Sequence, residues 1–217
     1  MTPETEILRE LCNRIAEPGG RRIIAIDGVD GAGKTVFAGR LSAMLVDAGH
    51  SVIQASVDGF HNSRVLRYRR GKSDPQGFFE DSYNYPMFRE TLIDPFRAGA
   101  SSVSTARFDH VRDAEITRTA KVETASLLVI DGIFLHRDEL AGIWDFSIFL
   151  SVPFAVSYAR MAKRDGSNPD PLATENRRYY EGQQIYIRTC QPEKRATVVI
   201  DNSDIDATHL VSGHSGL

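Results

Sequence analysis

Apolar residues along this chain of 217 residues gather in five short runs, which alternate with amphipathic stretches. The runs are rich in β-branched residues, which is typical of strands buried in a parallel sheet. They cover residues 22–27, 51–57, 126–131, 146–152 and 196–201. Helices are predicted at 2–17 and 34–48 and between most of the later strands. The alternation predicts a three-layer α/β fold in which helices cover a mostly parallel sheet of five strands.

The long stretch between residues 59 and 124 departs from this alternation. A basic, glycine-containing loop is predicted at 64–77 and a helix at 85–98. Two alternating runs, 102–109 and 115–123, predict a β-hairpin that projects from the sheet. An insertion of this size is usually functional. We therefore interpret residues 60–125 as a substrate-covering segment inserted into one domain that spans residues 1–217.

Composition and charge exclude several classes of function. The net charge of −3 argues against a general binder of nucleic acid or anionic membranes. The two cysteines, Cys12 and Cys190, are too few for a disulfide framework, which favours a reducing compartment. The first residues lack a secretory signal pattern, and no apolar run is long enough to cross a bilayer. We expect a cytoplasmic protein with a small-molecule partner and leave open whether it forms a homo-oligomer.

The residues between the first strand and the second helix carry the most specific motif. Gly28-Val-Asp-Gly-Ala-Gly-Lys34-Thr35 matches the phosphate-binding loop of P-loop NTPases. Glycines let the backbone N–H groups point at phosphate oxygens, Lys34 supplies a positive charge, and Thr35 supplies a hydroxyl ligand for Mg²⁺. The nucleotide-binding residues predicted here are Gly28, Asp30, Gly31, Ala32, Gly33, Lys34, Thr35 and Val36.

Two acidic residues follow the carboxyl ends of predicted strands. Asp131 ends the strand at 126–131, and Asp58 follows the strand at 51–57. Because parallel strands bring these ends to one edge of the sheet, Asp131 is predicted as a metal-site carboxylate. A carboxylate at Asp58 could accept the proton of a hydroxyl that receives a phosphoryl group. The alternative for either residue is a solvated aspartate in a turn before glycine.

Together these residues resemble the uridine kinase-like branch of the phosphoribulokinase/uridine kinase family. The family's Asp-x-Phe-Tyr signature stands here as Asp58-Gly59-Phe60-His61, and its acidic-Gly-Ile string falls on Asp131-Gly132-Ile133. The resemblance implies that Asp58 is the catalytic base, that ATP is the phosphoryl donor, and that Mg²⁺ is held at Thr35, Asp58 and Asp131. It also implies a lid at about 160–180, whose Arg160 and Arg164 would contact the triphosphate. Lys34 and Arg164 would join Asp58 in catalysis.

The residues that would bind the acceptor match the family less closely. The family's tyrosine after Asp-x-Phe is His61 here, and its hairpin string aligns with Phe108-Asp109-His110. The resemblance further implies an acidic substrate ligand, for which Asp81 and Tyr83 compete. The acceptor-binding residues expected on this basis are Asp58, His61, Asp81, Tyr83, Phe108 and His110. The resemblance favours the 5′-hydroxyl of uridine or cytidine, and a sugar or a pantothenate-like alcohol is the alternative.

Two further points stay open at this stage. A regulatory nucleotide switch is a rival hypothesis, although the guanine-reading Asn-Lys-x-Asp string of GTPases is absent from the sequence. A basic cluster in the predicted loop is expected either to contact phosphates or close over the substrate, or else to be solvated in a mobile loop. Its members are Arg64, Arg67, Arg69, Arg70 and Lys72.

Overall fold

The computed structural model describes residues 2–16 and 20–213. Its helices are α1 (Pro3–Ile15), α2 (Lys34–Asp47), α3 (Arg64–Arg67), α4 (Pro75–Asp81), α5 (Tyr85–Phe88), α6 (Asp94–Arg97), α7 (Phe154–Asp165), α8 (Arg177–Cys190) and α9 (Pro192–Arg195). Its strands are β1 (Arg22–Gly28), β2 (Val52–Ser56), β3 (Ser102–Asp109), β4 (Ala114–Lys121), β5 (Leu127–Asp131), β6 (Phe146–Ser151), β7 (Val198–Asp201) and β8 (His209–Gly213).

The central sheet has the strand order β2-β5-β1-β6-β7-β8. Its first five strands run parallel and correspond to the five predicted runs, which confirms the predicted α/β fold. β8 adds a sixth strand, antiparallel to β7, that the sequence did not predict. Leu210 and Val211 of this edge strand are exposed, so β8 lacks the buried apolar pattern from which strands are recognised.

Two apolar layers sandwich the sheet because successive strand residues point to opposite faces. Ile24 and Ile26 of β1 pack with the buried residues of α1 and α2. Ile23 and Ala25 pack on the other face, with the aromatic residues of α4 to α6 and α8. The predicted helix at 2–17 ends at Ile15, and Glu17 lies outside the described residues.

A 3₁₀ turn, Val57–Phe60, follows β2 directly and leads into the inserted segment. The predicted helix at 85–98 is present as α5, a π-helical turn (Arg89–Ile93) and α6. The predicted hairpin is confirmed as β3 and β4, which pair with each other as a separate two-stranded sheet. The predicted loop at 64–77 is partly helical, since it contains α3 and the beginning of α4. That the whole chain forms one domain stays a prediction.

Within the described residues, no helix is long and apolar enough to span a membrane.

Candidate active site

The phosphate-loop motif leaves β1 at Gly28 and enters α2 at Lys34, as the sequence predicts. Gly33 adopts a left-handed conformation, with φ of 93°, immediately before the helix. A Cβ atom at Gly28 would lie 2.8 Å from the carbonyl oxygen of Leu150 in β6. A Cβ atom at Gly31 would overlap the carbonyl of Ser157 in α7. The loop follows a path that glycine permits at these positions, because larger residues would collide with neighbouring backbone.

Lys34 and Thr35 begin α2 and face the carboxyl end of β5. The Lys34 ammonium group donates to the carbonyl oxygen of Val29, at 2.8 Å. The Thr35 hydroxyl donates to Oδ2 of Asp131, at 2.6 Å. Burial raises the pKa of Asp131, and the Thr35 hydrogen bond and the Lys34 charge oppose that shift. A hydroxyl and a carboxylate oxygen therefore stand side by side, and these are hard ligands that Mg²⁺ accepts.

Asp58 is brought to the same edge by strand register. Ser56, the last residue of β2, lies level with Asp131 in β5. The Ser56 hydroxyl accepts a hydrogen bond from the Asp58 backbone N–H at 3.3 Å, which starts the 3₁₀ turn. The negative charge of Asp58 helps to raise the pKa of Asp131 and of Asp30. The two predicted acids therefore share one site with Lys34.

Tyr83 fixes one oxygen of the Asp58 carboxylate. Its hydroxyl donates to Oδ1 of Asp58 at 2.9 Å. Burial, followed by the charge of Asp58, holds the pKa of Tyr83 well above its usual value, so the hydroxyl stays protonated. Within the described residues, Oδ2 of Asp58 has no hydrogen-bond partner. One carboxylate oxygen is thus held in place while the other is available to a ligand.

Two cavities meet at Asp58. The larger, of about 630 Å³, runs along the phosphate loop to the lid. The smaller, of about 370 Å³, lies between β2 and the hairpin. The larger cavity includes Asp30, Gly31, Gly33, Lys34, Thr35, Val36, Asp58, Asp131, Tyr158, Arg160, Arg164, Asn176 and Tyr179 in its wall. The smaller includes Gln54, Ser56, Asp58, Thr105, Phe108, His110, Ile116 and Arg118. Asp58 contributes to both walls.

The lid arginines line the larger cavity but are engaged elsewhere. Arg160 donates to the carbonyl oxygens of Asn202 at 2.8 Å and Ser203 at 3.0 Å. Arg164 forms an ion pair with Asp165, the next residue in α7. Both side chains lie in the cavity wall, but their observed partners are protein groups. Contact with a triphosphate therefore stays a prediction for each of them. Of the other predicted loop residues, Gly28 and Ala32 are buried behind the wall.

The predicted acceptor-binding residues fall into two groups. Phe108 and His110 line the smaller cavity, and the His110 ring stacks on His61 with centroids 4.5 Å apart. His61 also contacts Tyr83 and holds its Nδ1 atom 2.9 Å from the Asp58 carbonyl oxygen. Burial lowers the pKa of His61 to about 4. The ring is therefore neutral near pH 7.

Asp81 lies apart from that group. Its carboxylate is buried in ion pairs with Arg69 and with Arg70, the latter at 3.2 Å, and it lines neither cavity. Between the two competing residues, the structure brings Tyr83 rather than Asp81 to Asp58. The basic cluster has a structural role that the sequence did not indicate, because three of its arginines pair with acids of the same inserted segment. Arg67 pairs with Asp113, whereas Arg69 and Arg70 pair with Asp81.

Three polar residues that support the phosphate loop were not predicted from the sequence. Gln183 of α8 accepts a hydrogen bond from the Asp30 N–H at 2.7 Å, and Asn202 donates to the Ala32 carbonyl oxygen at 2.8 Å. Asp27, fully buried at the end of β1, accepts hydrogen bonds from His136 and Tyr186. An acid inside an apolar strand was a visible signal for Asp27. Gln183 and Asn202 lie far from the motif in sequence, and no pattern marks them.

The comparison with protein families fits this geometry. The family model of the phosphoribulokinase/uridine kinase family matches residues 23–169. The chain belongs to this family. The matched range contains β1 to β6, the phosphate loop, the inserted segment and α7. The chain is therefore a P-loop kinase, and as a phosphotransferase it is an enzyme rather than a nucleotide switch.

Relatives and structural neighbours of the chain are described under different names. A uridine kinase from Proteus mirabilis is 26% identical over 155 residues, which cover 66% of this chain and 68% of that protein. A proposed uridine kinase from Bacillus stearothermophilus has 25% identity and a TM-score of 0.72, covering 90% of this chain and 97% of its own. A proposed fructose transport system kinase from Silicibacter sp. TM1040 has 26% identity and a TM-score of 0.67, covering 87% and 95%.

Proposed function

We propose that this chain is an ATP-dependent kinase that transfers the γ-phosphoryl group to the 5′-hydroxyl of uridine or cytidine. The observation that carries the proposal is the position of Asp58 in the walls of two cavities. One cavity contains the phosphate loop, with Lys34 and Thr35. The other lies under the hairpin, next to Phe108 and His110. A base at the junction can reach an acceptor hydroxyl in one cavity while the donor occupies the other.

The donor side is suited to an anion. The N–H groups of the loop and the amino end of α2 attract the phosphates. Lys34, which caps the Val29 carbonyl at 2.8 Å, can turn to the β- and γ-phosphates. Arg164 of the lid can leave its exposed ion pair with Asp165, since exposed pairs contribute little to stability. These groups would stabilise negative charge on the migrating phosphoryl group.

The metal that such kinases use fits the donor set of this site. Thr35 and Asp131 offer a hydroxyl and a carboxylate oxygen that are hydrogen-bonded at 2.6 Å, and Asp58 follows the adjacent strand. Mg²⁺ is usually held by one or two carboxylates, with waters and phosphates completing its shell. When bound there, Mg²⁺ would neutralise charge on the phosphates and help orient them. Thr35 and Asp131 are the residues proposed to hold it, and the predicted participation of Asp58 stays a prediction.

Asp58 would act on the acceptor. Tyr83 holds its Oδ1 atom, which leaves Oδ2 for the hydroxyl proton. In the transfer, the acceptor oxygen forms a bond to the γ-phosphorus. The bond between the γ-phosphorus and the β–γ bridging oxygen breaks at the same time. The hydroxyl proton passes to the Asp58 carboxylate, and ADP leaves. The hairpin above the smaller cavity would exclude water from this step and so limit ATP hydrolysis.

The similarity to the proposed fructose transport system kinase supports a second candidate acceptor. A sugar would use the same donor site and the same base and would differ only in its contacts under the hairpin. The smaller cavity offers both apolar and polar groups, including Phe108, Ile116, Gln54 and Arg118. Its lining is therefore compatible with a nucleobase or with a sugar.

An acceptor panel tests the proposal. ADP release would be measured with ATP and Mg²⁺ in the presence of uridine, cytidine, D-fructose or pantothenate. We expect a pyrimidine ribonucleoside to stimulate ADP release most strongly. The Asp58→Asn variant should bind ATP normally and lose about a thousandfold in kcat, within the range of general base catalysis. A near-normal kcat in that variant would remove Asp58 from the mechanism, and stimulation by fructose alone would select the second candidate.

A further inference from the structure

The phosphate loop of this kinase contains an acidic residue, Asp30, although the ligand expected there is an anion. Asp30 lies four residues before Lys34 and lines the larger cavity. A carboxylate repels phosphate oxygens, so its side chain is a poor ligand for the triphosphate. Asp30, Lys34 and Asp58 all line this cavity. Burial raises the pKa of Asp30, the charge of Lys34 lowers it, and the charge of Asp58 raises it. Among the described residues, no hydrogen bond or ion pair involves the Asp30 carboxylate, so its oxygens are available to a hydrogen-bond donor in the cavity.

The Asp30 backbone is also turned away from the role of a phosphate ligand. Its N–H donates to Oε1 of Gln183 at 2.7 Å. Gln183 is buried in α8, and its Nε2 donates to the Tyr179 carbonyl oxygen at 3.1 Å. On the other side, Gly31 touches the backbone of Ser157 in α7. Helices α7 and α8 thus hold Asp30 in place without help from a nucleotide.

A second residue of the same cavity has an unsatisfied polar atom. Tyr158 of α7 is 2% exposed and lines the larger cavity. Its hydroxyl has no hydrogen-bond partner among the described residues. Burial and then the negative charge of Asp30 raise the pKa of Tyr158, so the hydroxyl remains a donor near that acid. An unpaired buried hydroxyl is costly, and a ligand oxygen would relieve that cost.

We propose that Asp30 and Tyr158 form a subsite for a second hydroxyl group of the phosphoryl acceptor. The carboxylate accepts a hydrogen bond from that hydroxyl, and the tyrosine donates one to its oxygen. Because Asp58 lines both cavities, an acceptor that lies under the hairpin with one hydroxyl at Asp58 can place a second hydroxyl in the larger cavity, which Asp30 and Tyr158 line. The acceptor is then a polyol, such as a ribonucleoside or a sugar, rather than an alcohol with a single hydroxyl. This inference rests on the proposed function, because it assigns the acceptor of the same site.

Calorimetric binding in the presence of ADP tests the subsite without turnover. The probes are uridine, 2′-deoxyuridine, 3′-deoxyuridine and D-fructose. Asp30→Ala should weaken binding of the preferred polyol about 10- to 100-fold, as expected for a hydrogen bond to a charged group. The deoxy analogue that lacks the recognised hydroxyl should bind equally to wild type and variant. ATP affinity should stay the same or rise, because a negative charge near the triphosphate is removed.

Matched tyrosine variants provide the control. Tyr158→Phe should weaken polyol binding about 3- to 10-fold. Tyr85→Phe makes the same change at another buried hydroxyl without a partner, one that lines neither cavity, and should leave binding unchanged. Equal losses for Tyr158→Phe and Tyr85→Phe would overturn the role of Tyr158.

The outcomes separate this inference from the proposed function. If Asp30→Ala weakens ATP binding and leaves polyol binding intact, the subsite is overturned, whereas acceptor-dependent ADP release would still support a kinase. If polyol binding depends on Asp30 but no polyol stimulates ADP release, the subsite stands and the proposed reaction fails. If none of the probes binds to the wild type, both are overturned.

Discussion

The donor side and the acceptor side of the cleft are built by different means. On the donor side, the phosphate loop joins β1 of the central sheet to α2, and its glycines approach the backbone of Leu150 and Ser157. On the acceptor side, the hairpin β3–β4 pairs with no strand of the central sheet. Side-chain ion pairs connect it to the rest of the inserted segment, such as that of Arg67 with Asp113 at 3.3 Å. Close backbone packing shapes one side, and polar side chains shape the other.

The difference teaches where the chemistry is constrained and where it can vary. Phosphate binding needs a fixed backbone path, so the donor side has little freedom in sequence. In the proposed function, the acceptor side has to bring a hydroxyl to Asp58, which many combinations of side chains could do. The two structural neighbours at 25% and 26% identity also carry different names, a proposed uridine kinase and a proposed fructose transport system kinase. If the proposed function holds, substrate identity should depend on the inserted segment more than on the sheet.

The largest effect is expected from removing the charge of the donor side. Lys34→Ala should lower kcat by about a thousandfold and weaken ATP binding, because the loop N–H groups alone would face the β- and γ-phosphates. Steady-state ADP release and calorimetry with a non-hydrolysable ATP analogue would measure the two effects. Lys163→Ala, at an exposed lysine of α7, is the control and should change neither. Normal ATP binding in Lys34→Ala would contradict the donor assignment.

The same division explains what the sequence could predict. The strands β1, β2, β5, β6 and β7 are short apolar runs, so local pattern was sufficient to find them, together with the phosphate loop. Strand β8 is partly polar and lies at an exposed edge, and it forms because β7 offers it hydrogen bonds. Pairings between distant side chains carry no local pattern. The hydrogen bonds of Gln183 to Asp30 and of Tyr83 to Asp58 therefore required the folded chain.

The contact between Gly132 and the Val57 side chain tests how tightly the chain is packed next to Asp58. Gly132 has φ of 157°, and a Cβ atom there would overlap Val57, the residue before Asp58. Gly132→Ala should lower the free energy of unfolding by about 3 kcal/mol, in line with overpacked or strained sites. Gly39→Ala is the control, because a Cβ atom there meets open space within α2. It should be neutral or stabilising by up to about 1 kcal/mol. Urea denaturation would measure both variants, and equal values would refute the packing argument.

The next effect concerns His61 on the acceptor side and depends on pH. Burial lowers the pKa of His61 from 6.5 to about 4. Between those values the unfolded chain binds the proton more readily, so stability falls as the pH falls through this window. From pH 7 to pH 5 the contribution of His61 is at most about 2 kcal/mol. In His61→Gln, the loss of unfolding free energy between pH 7 and pH 5 should be smaller than in the wild type, by up to that amount. Denaturation curves at the two pH values would measure the difference. Other titrating groups are common to both proteins, so an unchanged pH dependence would exclude His61 as the cause.

The smallest effect is expected at Tyr83, whose hydroxyl contacts Asp58, in comparison with the buried hydroxyl of Tyr85, which does not. Tyr83→Phe removes the hydrogen bond to Oδ1 of Asp58 and keeps the buried ring. We expect kcat to fall about tenfold, since a hydrogen bond to a charged group contributes about 1.5–3 kcal/mol, while the KM for ATP stays constant.

The control for this prediction is Tyr85→Phe, whose hydroxyl has no partner among the described residues. It should leave kcat unchanged and can stabilise the fold slightly, because it removes an unsatisfied polar group. In an Asp58→Asn background, Tyr83→Phe should have little further effect on kcat, because its influence passes through that carboxylate. If instead the factors by which the two substitutions lower kcat multiply, Tyr83 acts on the acceptor directly. The acceptor would then extend further into the cleft than a contact with Asp58 alone implies.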